Sequence, residues 1–129
     1  MEVPKGLRYT REHEWLKMDG TKGVVGITHF AQEQLGDVVF VEVPALGTEL
    51  AQENTFGVVE SVKTVSDLYA PVNGKVAAVN TDLEASPELV NQEPYGKGWM
   101  IEIELSDPGQ AGALMSAADY EAFLKEQQG

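Results

Sequence analysis

The sequence predicts a mostly β domain with short helices at its margins. Three observations carry that reading. Runs rich in β-branched residues recur through the first hundred positions, Gly and Pro punctuate the gaps, and a helical apolar period surfaces in only two places. In chain order, Glu14 to Met18 and Lys22 to Ile27 flank Asp19-Gly20, a dipeptide suited to a hairpin turn that needs positive φ. Thr28 to Leu35 reads as a short helix. Thr28 is its N-cap, Phe30 or Ala31 shares an apolar face with Leu35, and Gly36 is its stop. Val38 to Val43, Phe56 to Val62 and Val65 to Tyr69 then read as strands. Gly74 to Val79 and Met100 to Leu105 complete the β part, the last in clean alternation. Asp107-Pro108-Gly109 breaks the pattern, and Ser116 to Glu126 reads as a terminal amphipathic helix with Ser116 as N-cap.

Composition narrows the function. The 129 residues suit one compact domain, 1–129. Nine Lys and Arg against 21 Asp and Glu give a net charge of -12. Such a chain repels phosphate backbones and anionic lipid, so neither a nucleic acid nor a membrane is an expected partner. Basic docking surfaces are. The absence of cysteine excludes disulfides, thiolate metal sites and cysteine nucleophiles, so sulfur redox chemistry would need an added cofactor. His13 and His29 are the only histidines and lack metal-ligand spacing. No hydrolase triad forms around Ser61 or Ser66, and no glycine-rich phosphate fingerprint occurs. Trp15 and Trp99 read as core or rim aromatics. No run approaches the roughly 20 apolar residues of a membrane helix. The N-terminal stretch resembles neither a secretory signal nor an organellar presequence. The expected location is the cytoplasm, or the mitochondrial matrix for a processed organellar protein.

Two features stand out. Pro44-Ala-Leu-Gly47 followed by Ala51 recurs 27 residues later as Pro71-Val-Asn-Gly74 followed by Ala78. Two such units could pair about a pseudo-twofold axis; chance among common turn residues explains the echo equally well. The second feature is Lys63, the only basic residue between Lys22 and Lys75, an interval holding seven acids. It lies between two strand-like runs with no Gly or Pro at the join, which would set it on a hairpin tip, exposed on a flexible four-carbon stem. Such a lysine is open to a modifying enzyme. An ordinary solvated lysine has the same spacing.

The residues around Lys63 are recognisable. Glu60-Ser-Val-Lys63, Ser66-Asp67 and Tyr69-Ala-Pro71-Val-x-Gly74 resemble the lipoyl-attachment segment of the glycine cleavage system H-protein family. The resemblance covers nearly the whole chain. It takes in His13-Glu14-Trp15, Val25-Gly26-Ile27-Thr28, Ala31-Gln32 and Leu35-Gly36-Asp37-Val38-Val39-Phe40-Val41. It resumes with Pro87-Glu-Leu-Val-Asn91, Pro94-Tyr95 and Gly98-Trp99, and ends in an Asp-Tyr-containing terminal helix. Gly47 and Gly74, 16 residues before and 11 after Lys63, match the glycines that flank the modified lysine in lipoyl domains.

The resemblance implies a fold and a task. The fold is a barrel-sandwich hybrid of the lipoyl/biotinyl-domain type, with two small sheets related by a pseudo-dyad. Its lipoyl-attachment core would span about 22–105 and its C-terminal helical segment about 108–126. The task is to carry, not to catalyse. Lipoate in amide linkage to Lys63 would supply the missing disulfide, attached by a lipoate ligase or lipoyl transferase, with Glu60, Gly47 and Gly74 recognised in that step. Glycine decarboxylase (P-protein) would load the arm with an aminomethyl group. An aminomethyltransferase (T-protein) would unload it, and dihydrolipoyl dehydrogenase (L-protein) would restore the disulfide. A loaded arm carries a cationic amine that needs shelter from water. By resemblance, Glu14 and Asp67 line its cleft, with Ile27 and Leu35 among the apolar walls. Thr64-Val65 departs from the small residues usual after the lysine and makes Val65 a bulkier neighbour. A biotin carrier would place methionines beside the lysine, where this chain has Val62 and Thr64. A lipoate relay to other enzymes uses the same lysine and stays open.

Overall fold

The computed structural model describes residues 2–128, and two antiparallel sheets dominate it. The strands are β1 (Arg8–Tyr9), β2 (Glu14–Asp19), β3 (Lys22–Ile27), β4 (Val38–Glu42), β5 (Glu49–Leu50), β6 (Thr55–Ser61), β7 (Val65–Tyr69), β8 (Gly74–Val79) and β9 (Ile101–Leu105). The helices are α1 (His29–Leu35), α2 (Asp82–Ala85), α3 (Leu89–Gln92) and α4 (Ala117–Gln128), with a 3-10 turn over Pro108–Ala113. One sheet has six strands in the order β1-β2-β3-β9-β8-β5; the other has three, β4-β6-β7. Neither closes on itself. The all-β sandwich expected from the sequence is therefore the fold, with sheets of unequal size.

Strand ends follow local chemistry to within a residue. Three expected strands run one residue too far. Val43 and Met100 fall just outside, and Val62 leaves the ladder because its N–H donates to the Asp37 carbonyl (3.1 Å). The first hairpin also turns one residue later than Asp19-Gly20 suggests. Asp19 still pairs with Lys22, so the central residues are Gly20 and Thr21, and Gly20 supplies the positive φ (+65°). Helix α1 forms as its caps dictate. Thr28 Oγ1 accepts the Ala31 N–H (3.2 Å), and the Gly36 N–H returns to the Gln32 carbonyl (3.0 Å). Ser116 Oγ likewise accepts the Asp119 N–H (3.2 Å) at the start of α4.

Two apolar clusters hold the layers together. The larger fills the space between the sheets, with Leu16, Val25, Val59, Val72, Val76, Ile101 and Ile103 at its centre. The smaller is aromatic. Tyr9, Trp15, Phe30, Tyr120 and Leu124 lock α4 onto the opposite face of the β1–β3 edge. Phe30 and Leu35 of α1 are both buried, but they enter different clusters, so α1 bridges the two. Trp15 lies flat over Gly26, its cross-strand partner; a Cβ there would meet the indole at 2.6 Å. The indole N–H is shared between the carbonyls of Ile27 (3.0 Å) and Pro94 (2.9 Å).

Candidate functional site

Lys63 occupies the tip of the β6–β7 hairpin and is exposed. The turn needs no glycine because Ser61 organises it. The Ser61 N–H donates to the Thr64 carbonyl (2.8 Å), while Ser61 Oγ accepts the N–H groups of Lys63 (3.3 Å) and Thr64 (3.1 Å). A second device aims the tip. The Val62–Asp37 bond ties it to the loop after α1, and Asn91 of α3 pins that loop from behind. Asn91 Nδ2 donates to the carbonyl of Gly36 (2.8 Å) and to Gln32 Oε1 (3.0 Å), while its Oδ1 accepts the Val38 N–H (2.8 Å). Gly36 sits at φ +78° directly beneath the lysine stem. A Cβ built there would lie 3.4 Å from Lys63 Cε.

A cleft of about 360 Å³ opens beside the tip, lined from Thr64 and Val65 inward by Leu35, Ile27 and Val59. Asp67 stands on its rim and Glu14 at its inner wall. The structure thus brings together Lys63's hairpin, Glu14, Asp67, Ile27 and Leu35, although they are spread over four elements. Ile27 (3 % exposed) and Leu35 (8 %) form the dry wall.

Glu14 is not the solvated strand carboxylate that a surface β-residue would be. It is 1 % exposed. Alternation along β2 explains this: Glu14 shares a face with Leu16, toward the main core, while Trp15 points to the aromatic cluster. Thr10 Oγ1 donates to Glu14 Oε1 (2.6 Å), and the Tyr69 N–H donates to Oε2 (3.3 Å). Burial pushes the carboxyl up to about 7, and these two hydrogen bonds hold it from rising further. A group half ionised near neutrality in the lining of a part-apolar cleft can greet a cation. It gains charge as the cation arrives.

In the same lining His13 adopts φ +70°, a left-handed conformation held by its surroundings. Its Nδ1 lies 2.8 Å from the Tyr120 hydroxyl, which also meets Thr28 Oγ1 at 2.7 Å, and Phe30 packs on the ring. Burial lowers the imidazole's affinity for a proton. His13 and His29 build no metal site; among the described residues no group of three potential metal ligands comes together. Neither is any described helix long and apolar enough to cross a membrane.

Gly47 and Gly74 lie away from the tip, on the side of the six-stranded sheet. Gly47 takes φ +83° in an open loop. Gly74 begins β8 where a Cβ would stand 2.3 Å from Ile103 Cγ2 and 2.5 Å from the Glu104 carbonyl. The two Pro-x-x-Gly echoes therefore serve different backbone needs. Their 27-residue offset nevertheless carries β4 onto β7, residue for residue. Glu60, half-buried, pairs laterally with Phe40 and Val65, both exposed (47 % and 62 %). Thr10, the turn-closing role of Ser61 and the clamp role of Asn91 escaped the sequence reading. A serine two residues before an exposed hairpin lysine was the one signal available.

Comparison with known proteins identifies the family. Residues 7–127 match the family model described as glycine cleavage H-protein. The chain belongs to the glycine cleavage H-protein family. A glycine cleavage system H protein from Symbiobacterium thermophilum is 62% identical over 124 residues, covering 96% of this chain and 97% of the relative. The Bacillus subtilis H protein is 56% identical over 126 residues, covering 98% and 99%. A crystal structure of an H protein from Mycobacterium marinum superimposes with TM-score 0.88 at 36% identity, over 95% of this chain and 99% of that one. As an H protein, the chain serves the glycine cleavage system as a carrier component and is not itself an enzyme.

Proposed function

We propose that Lys63 carries lipoate in amide linkage and that the chain shuttles the aminomethyl group of glycine from glycine decarboxylase to the aminomethyltransferase. One observation supports this above others. The exposed lysine tip stands beside a cleft that has Ile27, Leu35 and Val59 on its apolar side and a buried carboxylate, Glu14, in its lining. The residues present suit a lipoyl arm: a reachable amine, a cleft with one apolar wall beside it, and a buried ionisable group in its lining. When attached, the lipoyl group supplies a disulfide that takes up the aminomethyl unit and is a dithiol once that unit has been passed on.

The chain's own residues divide the remaining work. Ser61 and Asp37 hold the tip rigid, so Lys63 swings from a fixed base. Ile27, Leu35 and Val59 keep water from the cargo. Glu14 accepts a hydrogen bond from its cationic amine, with Asp67 at the rim adding negative potential. A charge-assisted bond of this kind is worth about 1.5–3 kcal/mol, enough to favour the parked arm roughly tenfold or more. Glu60 and its apolar neighbours Phe40 and Val65 face the lipoate ligase or lipoyl transferase. Dihydrolipoyl dehydrogenase resets the disulfide.

Intact mass spectrometry tests the proposal. Lipoylated protein incubated with glycine and a glycine decarboxylase should gain an aminomethyl group, and Lys63→Arg should show neither the lipoyl adduct nor the gain. An adduct that never loads would rule out the shuttle. No adduct at Lys63 with a competent ligase would rule out the attachment site.

A further inference from the structure

Glu14 stands in the wall between two cavities. One is the cleft beside Lys63. The other, of about 530 Å³, lies between the β1–β2 loop, Tyr69–Pro71 and Leu114–Met115. Glu14 lines both. The loop before it grips the residue. Thr10 to His13 fold into a tight turn: the His13 N–H donates to the Thr10 carbonyl (3.1 Å), and the Thr10 N–H donates to the Glu14 carbonyl (3.0 Å). His13 at φ +70° completes the reversal. The turn brings the Thr10 hydroxyl back onto Glu14 at both ends of that residue. Oγ1 accepts the Glu14 N–H (3.1 Å) and donates its single proton to Oε1 (2.6 Å).

We propose that Thr10 is a positioning residue for the carrier cycle: its hydroxyl and the Tyr69 amide hold the Glu14 carboxylate in one orientation from the side of the second cavity, which both residues line, and leave the lysine-side cleft to the cargo. This rests on the reading of Glu14 as the acceptor for the cargo's amine. The two bonds come from different sheets, Thr10 from the β1–β2 loop and Tyr69 from the strand leading away from Lys63. The carboxylate is thus referenced to the hairpin that bears the arm. Because the Thr10 bond goes to the charged form, it also keeps Glu14 ionised at lower pH than burial alone would allow. Other ionisable groups around Glu14 are Arg11, Glu12 and His13 of its own loop, Asp67 and Tyr69 of β7, Tyr120 of α4, and Tyr9 and Glu53 along the second cavity. Removing the hydroxyl alters none of these groups chemically, while it also takes away the acceptor of the Glu14 N–H.

Thr10→Val removes that hydroxyl at nearly constant volume, and Thr10→Ser retains it. The first measurement is a carbon-13 NMR titration of the Glu14 carboxyl in the full-length, unlipoylated protein. Thr10→Val should raise its midpoint by about one pH unit, and Thr10→Ser should restore it. The second is the lifetime of the loaded arm against pH. Thr10→Val should shorten it near neutrality and recover at higher pH, where Glu14 ionises without help. A variant that merely loosened the fold would shorten it at every pH and would overturn the proposal. So would an unmoved Glu14 midpoint. Glu14→Gln separates the two readings: an unchanged lifetime in that variant refutes the acceptor role of Glu14, while the titration still decides what Thr10 does.

Discussion

A carboxyl raised from 4.5 to about 7 by burial leaves a mark on stability as well as on chemistry. Between those values the folded chain holds a proton that the unfolded chain has released. Stability therefore falls as pH rises through this window. At pH 8 the burden is about 3 kcal/mol, the free energy equivalent of the displacement. Glu14→Gln removes the titration but keeps the size. The gap in unfolding free energy between variant and parent, from urea melts, should move in the variant's favour by about 2–3 kcal/mol between pH 5 and pH 8. A gap that is the same at both pH values would show that Glu14 titrates normally. At this scale the sequence displayed Lys63 plainly, since it is the only base among seven acids over fifty residues. It did not display the burial of Glu14. Glu14, Trp15 and Leu16 are all buried because β2 is covered on both faces, and one chain segment cannot announce what will cover it.

Elements position the tip through a relay that begins at α3. Asn91 satisfies a carbonyl at Gly36 and an N–H at Val38, and the loop between them receives the Val62 N–H. Asn91→Ala leaves two backbone groups without their partners, each costing about 1–3 kcal/mol if water cannot reach it. The Lys63 tip, still closed by Ser61, then loses its anchor to α1. Hydrogen exchange should speed up at Val38 and Val62 well beyond any change at Val25 or Ile103 in the six-stranded sheet. Equal acceleration everywhere would mean that Asn91 supports global stability and does not steer the tip. The long strands were legible because β-branched runs bounded by turn residues leave little choice of end. Two-residue β1 and β5 and four-residue α2 and α3 were not, since no period can be read from so few positions. Those short elements carry Thr10's loop and Asn91, so what the periodicity missed is what aims the site.

For the whole molecule, the charge of -12 and the composition of the tip make opposing demands on a partner. Val39, Phe40, Val62 and Val65, each about half exposed or more, surround Lys63 and Glu60 with apolar surface. Acids including Glu42 and Asp67 share the same three-stranded sheet. Charge acts at range and is screened within about 10 Å at 0.1 M salt, whereas apolar contact acts only on docking and is not weakened by salt. A carrier that visits several enzymes in turn needs fast encounter and ready release. Charge steering supplies the first without deepening the second. The KM of glycine decarboxylase for the lipoylated chain should therefore rise several-fold as salt goes from about 0.02 to about 0.2 M, with kcat nearly constant. A KM that stayed flat or fell over that range would assign recognition to the apolar residues around the tip. Phe40→Ser, which leaves the net charge at -12, would then weaken loading at every salt concentration.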